Sequence, residues 1–153
     1  EFTRQQYFPC CCDISADGNL ILTGSNGFDG HGCYVTLWDA HKGGKVVEMQ
    51  GHTQRVTGCV FIKTPNESGS TTKQLAATAS IDGTIRLWDI ISGECLELAL
   101  HSDVKFNDLA PVCGPGGTTN LVAATSTGLM YMFALRVRGG AEDGYDLHLL
   151  SLF

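Results

Sequence analysis

The chain has 153 residues, 43% of them hydrophobic and 17% charged, which is the composition of a globular domain long enough to bury a core. Its formal net charge is -6 and it has no run of lysine or arginine, so direct binding of nucleic acid is disfavoured. It has neither an apolar stretch of the ~20 residues that cross a bilayer nor the layout of a signal peptide. This predicts a protein inside the cell without membrane insertion, either in the cytoplasm or in a cytoskeletal or ciliary structure.

Short β-strands are predicted along the whole chain, because alternating or β-branched runs are separated by turn signals and no helical period appears. The polar stretch 64–73 and the glycine-rich stretches 114–117 and 139–140 are predicted to be surface loops. The protein is therefore expected to be all-β. The twelve predicted strands are 8–15, 20–25, 33–39, 45–50, 55–63, 74–80, 84–89, 95–100, 104–111, 121–126, 129–136 and 146–152.

The strands belong to a repeat. Leu37-Trp38-Asp39 recurs as Leu87-Trp88-Asp89, and the two tryptophans stand 50 residues apart, close to the length of a four-stranded propeller blade. A weaker third copy has Phe133 in the tryptophan position, 45 residues after Trp88. Three copies of one strand-based unit are therefore present.

These residues resemble the WD-repeat family over nearly the whole chain. The middle copy matches best: Gly51-His52 opens it, Ser80-Ile81-Asp82-Gly83 forms the turn between its second and third strands, and Leu87-Trp88-Asp89 ends the third. The resemblance implies that residues 1–153 form part of a single propeller. This part would have about three four-stranded antiparallel blades, at approximately residues 5–51, 52–101 and 102–153.

The resemblance also implies a hydrogen-bonded chain inside the middle blade. The Trp88 indole would donate to the Ser80 hydroxyl, Ser80 to a ring nitrogen of His52, and the other His52 nitrogen to Asp82, so that every buried polar group has a partner. The remaining residues of the repeat signature are Trp38, Asp39 and Asp89.

A serine, a histidine and an aspartate together also suggest the nucleophilic triad of a hydrolase. Ser80, however, is not on a Gly-x-Ser-x-Gly elbow, and the tryptophan gives its hydroxyl a partner with no role in acyl transfer. Gly43-Gly44-Lys45 lacks the rest of a phosphate-binding loop. The sequence therefore predicts no catalytic residue, no cofactor site and no enzyme activity.

The seven cysteines are expected to be reduced. Cys10, Cys11 and Cys12 are consecutive, and neighbouring side chains of a strand point to opposite faces, so the three cannot converge on one metal ion. The other four are scattered, without a Cys-x-x-Cys pair: Cys33, Cys59, Cys95 and Cys113. This spacing is typical of cysteines that serve as small hydrophobic residues in a reducing compartment, and it predicts no metal site.

The outer copies depart from the family pattern. In the first, Gln5 stands where the histidine is expected and residues 26–32 lengthen a turn, so that Asp29 either fills the acidic position or belongs to a contact loop. In the third, Phe133 has no N–H to donate and Gly128 occupies the acidic position, so apolar packing must hold that blade. Ser126 and His101 are the polar residues that this copy retains.

The function that the resemblance implies is scaffolding of protein complexes by a rigid disc. Partner contacts are expected at Asp29, Arg55 and Ile81, against the alternative that Arg55 is merely solvated and Ile81 merely covers its own blade. The alternative function is a substrate-recruiting or structural subunit of an enzyme or of a cytoskeletal or axonemal assembly, with any chemistry outside this chain. Because rings need about 4–8 blades, further blades of the same longer chain are also expected as partners.

Overall fold

The computed structural model describes residues 7–62, 74–114, 118–138 and 144–153. The regular elements within these ranges are twelve strands, and none of the ranges contains a helix long and apolar enough to cross a membrane. They are β1 (Pro9–Ile14), β2 (Leu20–Ser25), β3 (Val35–Asp39), β4 (Lys45–Met49), β5 (Val56–Ile62), β6 (Leu75–Ser80), β7 (Thr84–Asp89), β8 (Cys95–Leu100), β9 (Phe106–Cys113), β10 (Thr119–Thr125), β11 (Met130–Arg138) and β12 (Gly144–Leu152).

The strands form three antiparallel sheets of four, in the orders β1-β2-β3-β4, β5-β6-β7-β8 and β9-β10-β11-β12. The first strands of the sheets, β1, β5 and β9, lie next to one another and are the inner strands of three successive blades. The predicted all-β class and the partial propeller are therefore confirmed. The first and last residues of every strand lie within two positions of the predicted ones.

Three sequence features lie outside the described residues. They are Gln5, the polar insertion 64–73, and most of the two glycine-rich loops.

Two apolar cores join the three blades face to face. Leu22 and Leu37 of the first blade pack against Val56 of the second, and Leu87 of the second packs into a cluster that includes Phe133 of the third. Because the middle blade has a neighbour on both sides, every residue of its strand β6 is buried. The middle blade is thus held from both faces.

The outer faces of the arc expose apolar side chains. Ile14 on β1 is 60% exposed and lies on the side of the first blade that faces away from the second. Val112 and Met130 lie on the corresponding outer side of the third blade and are 42% and 47% exposed. In a propeller these faces are the ones that adjacent blades cover.

The antiparallel topology gives the arc two rims. The upper rim has the turns β2–β3, β6–β7 and β10–β11 and the segments that lead into β5 and β9, whereas the lower rim has the turns β1–β2, β3–β4 and β7–β8. The site described below extends from the core of the second blade to the upper rim.

Candidate interaction surface and the polar network beneath it

A chain of hydrogen bonds runs through the interior of the second blade. The Trp88 indole N–H donates to the Thr78 hydroxyl oxygen over 2.8 Å, and the same oxygen lies 2.8 Å from Nε2 of His52. Nδ1 of His52 lies 3.0 Å from a carboxylate oxygen of Asp82. Trp88, Thr78 and His52 are all fully buried, so each of these bonds replaces one that water would otherwise make.

The hydroxyl in this chain belongs to Thr78, so the assignment of Ser80 was wrong. Trp88 pairs with Ala76 across the β6–β7 ladder, and Thr78 is the next residue on that face of β6. Ser80 is one further step along, at the end of the strand, where it donates to the Gln54 carbonyl over 3.1 Å and accepts from the Asp82 amide over 3.1 Å. Ser80 therefore orders the turn, and a Ser–His–Asp triad does not form.

Asp82 is the acceptor at the upper end of the chain. One carboxylate oxygen accepts from His52 and from the Thr53 amide, and the other accepts from the Thr84 amide over 2.9 Å and from the Thr84 hydroxyl over 2.6 Å. Burial raises the pKa of Asp82, but the hydrogen bonds from His52, Thr84 and Thr53 outweigh it and hold the pKa well below its usual range. Asp82 is therefore a carboxylate at neutral pH.

His52 is neutral in the folded protein at neutral pH. Burial lowers its pKa, and the hydrogen bond to Asp82 opposes this shift only in part. The network assigns its tautomer: Nδ1–H donates to Asp82, and Nε2 accepts from the Thr78 hydroxyl, whose oxygen accepts the indole proton of Trp88. Each ring nitrogen therefore has a suitable partner.

The protonation of His52 makes the stability of the fold dependent on pH. The pKa of His52 is lower in the folded chain than in the unfolded chain, where it is about 6.5. The contribution of neutral His52 to stability is therefore fully present above about pH 6.5 and is lost as the pH falls towards the pKa of the folded state. Asp82 adds a further loss, in the same direction, below about pH 4. We expect thermal melting to show a falling Tm between about pH 7 and pH 5, and a weaker dependence in His52→Gln. An equal slope in both proteins would contradict this role of His52.

Gly51, the first residue of the Gly51-His52 pair, lies close to two side chains of β7. A Cβ on Gly51 would lie 2.5 Å from the Arg86 guanidinium and 3.2 Å from the Trp88 ring. The Arg86 guanidinium in turn lies 5.9 Å from the centre of that ring, as in a cation–π contact. The glycine thus lets the chain pass close to the residues that cover the buried indole.

The other two blades show that tryptophan and threonine occur together. In the first blade the Trp38 indole donates to the Thr23 hydroxyl over 2.9 Å, at the register position that Thr78 has in the second. In the third blade Phe133 replaces the tryptophan and Ala123 stands at the threonine position. The donor and its acceptor are therefore lost together, which leaves no buried indole or hydroxyl without a partner.

Aromatic packing replaces the polar chain in the third blade, as the sequence predicted. Tyr131 lies at the centre of this packing, with ring centroids 4.9 Å from His101 and 5.7 Å from Phe106. Ser126 is exposed and is not the counterpart of Ser80. That counterpart is Thr125, whose carbonyl accepts from the Gly128 amide as the Ser80 carbonyl accepts from Gly83. Gly128 therefore corresponds to Gly83, and the prediction that it occupies the acidic position was wrong, because Thr127 stands at the position of Asp82.

The aspartates of the repeat signature order turns on the lower rim. The Asp39 carboxylate accepts from the amides of His41 and Lys42 at 2.9 and 2.8 Å. The Asp89 carboxylate accepts from the amides of Ile91 and Ser92 at 2.8 and 3.2 Å. The two aspartates, 50 positions apart, therefore stabilise equivalent turns and take no part in the buried chain of hydrogen bonds.

The lengthened turn of the first blade ends in a tight hairpin. Phe28 and His31 exchange two backbone hydrogen bonds of 2.9 and 3.0 Å, and Asp29 and Gly30 between them both have positive φ, at 53° and 76°. This is the geometry of a type I′ turn, for which Asp-Gly is a favoured pair. Asp29 is exposed at the tip, so it does not occupy a buried acidic position like that of Asp82.

This hairpin is fixed to the second blade. The Gly30 amide donates to the Thr53 carbonyl over 2.8 Å, and Phe28 pairs with Gln54 in an isolated β-bridge. Thr53 also donates its own amide to Asp82 over 2.9 Å. The buried chain that begins at Trp88 therefore continues, bond by bond, to the exposed hairpin on the upper rim.

Large exposed side chains surround the hairpin. Phe8 is 82% exposed and Phe28 is 79% exposed, and the Phe8 carbonyl accepts from Asn26 at the start of the turn. Arg55 is exposed next to Gln54, and its carbonyl accepts from the Ile81 amide over 3.2 Å. We call the exposed Phe8, Phe28, Asp29 and Arg55, together with the half-buried Ile81, the rim surface.

The structure thus brings the three predicted contact residues, Asp29, Arg55 and Ile81, to one place. Phe28 lies in the stretch 26–32 that the sequence predicted as a contact loop, whereas sequence reasoning missed Phe8, as well as Thr78 and Thr84 in the buried chain. The repeated Thr-x-Ser spacing of Thr23 with Ser25 and Thr78 with Ser80 was the available signal for the threonine.

Three adjacent four-stranded sheets, with their first strands together, define the class of protein as a β-propeller. Residues 43–89 match the family described as WD domain, G-beta repeat. The matched range includes the buried chain of the second blade. The second blade is therefore a WD repeat, and the chain resembles the WD-repeat family.

Curated relatives agree with this assignment. The chain is 36% identical over 63 residues to WD repeat-containing protein 41 of Mus musculus, a match that covers 41% of this chain and 14% of that protein. It is 40% identical over 55 residues to the Homo sapiens protein of the same name, a match that covers 36% of this chain and 12% of that protein. It is 30% identical over 78 residues to the nuclear distribution protein nudF of Aspergillus niger, a match that covers 50% of this chain and 16% of that protein. The matches thus span less than a fifth of each relative.

Proposed function

We propose that this chain is a non-enzymatic interaction module that binds a partner protein on the rim surface and so serves as a scaffold or adaptor in a larger complex. The observation that supports it most is the pair of exposed phenylalanines, Phe8 and Phe28, beside the exposed Arg55. Aromatic residues and arginine are enriched at protein interfaces and dominate their binding energy. WD repeats generally mediate interactions between proteins, which agrees with this assignment.

The rigidity of the surface favours binding further. The hairpin is closed by its own hydrogen bonds and tied to Thr53, which is tied in turn to Asp82 and the buried chain. A partner would therefore meet Phe28 already in place, and little conformational entropy would be lost when that side chain is covered. Phe8 is anchored to the same turn through Asn26.

We also propose that further blades of a longer chain cover the outer faces of the arc. The exposed Ile14 and Met130 lie where adjacent blades would pack, and the chain spans only 14% and 12% of the first two relatives. A location inside the cell, in the cytoplasm, is proposed because all seven cysteines are free thiols, as in a reducing compartment.

The proposed surface predicts that the double variant Phe28→Ala/Arg55→Ala loses its partner. Removal of two interface anchors is expected to weaken binding by about 2 kcal/mol or more, roughly thirtyfold. Quantitative affinity purification of the intact protein, with mass spectrometry, would compare the partners that wild type and variant retain.

Ile91→Ala is the matched control, because Ile91 is 77% exposed in the β7–β8 turn of the opposite rim. It should retain the partners of the wild type, and both variants should melt like the wild type. Equal retention of every partner by the double variant would reject the rim surface as the binding site.

A further inference from the structure

The inner strands of the first two blades run side by side in a shared register. The Asp13 carboxylate on β1 accepts from the Phe61 amide on β5 over 2.8 Å. Cys11 stands two residues before Asp13, and Cys59 stands two residues before Phe61. Because side chains two apart share a face of a strand, the register that joins Asp13 to Phe61 also places Cys11 opposite Cys59.

The two thiols meet in the interface between the blades. The Cys11 sulfur lies 3.8 Å from the Val56 carbonyl oxygen of β5, and the Cys59 sulfur lies 3.7 Å from the Leu22 carbonyl oxygen of β2. Each thiol thus reaches across to the other blade, and both side chains lie in the apolar core between the first and second blades. A Cβ on Gly24 would lie 2.5 Å from the Cys11 sulfur, so this glycine provides the space that the thiol occupies.

The surroundings give the two sulfurs different reactivity. The hydrogen bond from Cys59 lowers the pKa of Cys11, against an opposing effect of burial, and Cys11 is only half-buried. The hydrogen bond with Cys11 and burial together raise the pKa of Cys59, which is 4% exposed. Cys11 is therefore the thiol that is both accessible and ionised more readily.

We propose that Cys11 and Cys59 form a reversible disulfide that joins the inner strands of adjacent blades when a peroxide oxidises the protein. The Cys11 thiolate attacks one peroxide oxygen, the O–O bond breaks, and the leaving hydroxide takes up a proton to become water, which leaves a sulfenic acid on Cys11. The Cys59 sulfur then attacks the Cys11 sulfur. The S–S bond forms, the S–O bond breaks, and the departing hydroxide leaves as water with the Cys59 proton. Two electrons pass from the two thiols to the peroxide, and a thiol reductant reverses the reaction.

The other cysteines do not share this position. Cys12 is exposed on the opposite face of β1, since side chains alternate along the regular part of the strand, and Cys10 is exposed at the irregularity between Pro9 and Cys11. Over the part of the chain that the structure describes, no group of three or more potential ligands is arranged to hold a metal ion. The pair is therefore suited to a two-thiol oxidation and restrains the first blade against the second when oxidised.

The test is disulfide mapping of the intact, reduced protein after treatment with hydrogen peroxide. Digestion without reductant, followed by mass spectrometry, is expected to recover a peptide pair linked through Cys11 and Cys59 that dithiothreitol releases. Thermal melting of the oxidised protein should show a Tm higher by roughly 5 °C. Recovery of only unlinked peptides, or of links through Cys10 or Cys12 in place of Cys11, would overturn the proposal.

Variants separate the disulfide from general oxidation. Cys59→Ser keeps a small side chain at a buried position and should abolish both the linked peptide and the Tm rise, while a sulfenic acid probe such as dimedone labels Cys11. Cys12→Ser should retain both effects. A Tm rise of equal size in Cys59→Ser would show that the stabilisation comes from elsewhere and would overturn the proposal.

Discussion

Replacing Trp88 with alanine is expected to lower the free energy of unfolding by about 3–5 kcal/mol, the usual cost of truncating a fully buried aromatic side chain. Trp88 is 1% exposed, packs between the first and second blades, and donates the hydrogen bond that begins the buried chain. The variant therefore leaves a cavity and also removes the donor to Thr78. Equilibrium denaturation of the intact protein, followed by circular dichroism, measures the loss.

Asp82→Asn is the graded comparison for Trp88→Ala. It retains one acceptor oxygen and nearly the same volume, so it loses hydrogen bonds from Thr53, Thr84 or His52 without forming a cavity. We expect a loss of about 1–3 kcal/mol, less than that of Trp88→Ala. Equal losses in the two variants would contradict the view that packing around the indole contributes more than the charge of Asp82.

Thr78→Val is expected to destabilise the fold by about 2–4 kcal/mol, although it changes the shape of the side chain very little. The substitution leaves two buried groups without their partner, the Trp88 indole N–H and Nε2 of His52, and each such group costs about 1–3 kcal/mol. The Trp88 indole proton should also shift in the NMR spectrum and exchange faster with solvent.

Ser80→Ala is the control that distinguishes the two hydroxyls. Ser80 bonds to the Gln54 carbonyl and the Asp82 amide and does not bond to the indole, so this variant should leave the Trp88 indole resonance close to its wild-type position. An indole resonance that moves in Ser80→Ala and stays in place in Thr78→Val would restore Ser80 to the chain and exclude Thr78.

The strands and the repeat could be predicted from the sequence because they depend on local signals. Alternation, turn residues and the recurring Leu-Trp-Asp located β2, β7 and β8 at their observed bounds. The acceptor of the indole could not be located in this way. Thr78 and Ser80 lie two residues apart on the same face of β6, so alternation treats them alike, and only the pairing of Trp88 with Ala76 decides between them.

Features that depend on contact between blades were beyond the reach of the sequence. Cys11 and Cys59 are 48 residues apart, and nothing in their spacing indicates that β1 and β5 place them opposite each other. The same holds for the bridge between Phe28 and Gln54, because Phe28 reaches Gln54 only through a hairpin whose turn type depends on positive φ at Asp29 and Gly30. A repeat predicts what one blade contains, whereas the register between blades follows from packing.

Site-specific photocrosslinking tests the central claim most directly, namely that this WD-repeat chain binds its partner on the rim surface. A photoreactive phenylalanine analogue would replace Phe28 in one version of the intact protein and Ile91 in another, since both side chains are more than three-quarters exposed, at 79% and 77%. We predict that the partner is captured from position 28 and not from position 91. Capture of the same partner from position 91, with none from position 28, would contradict the account and would place binding on the lower rim.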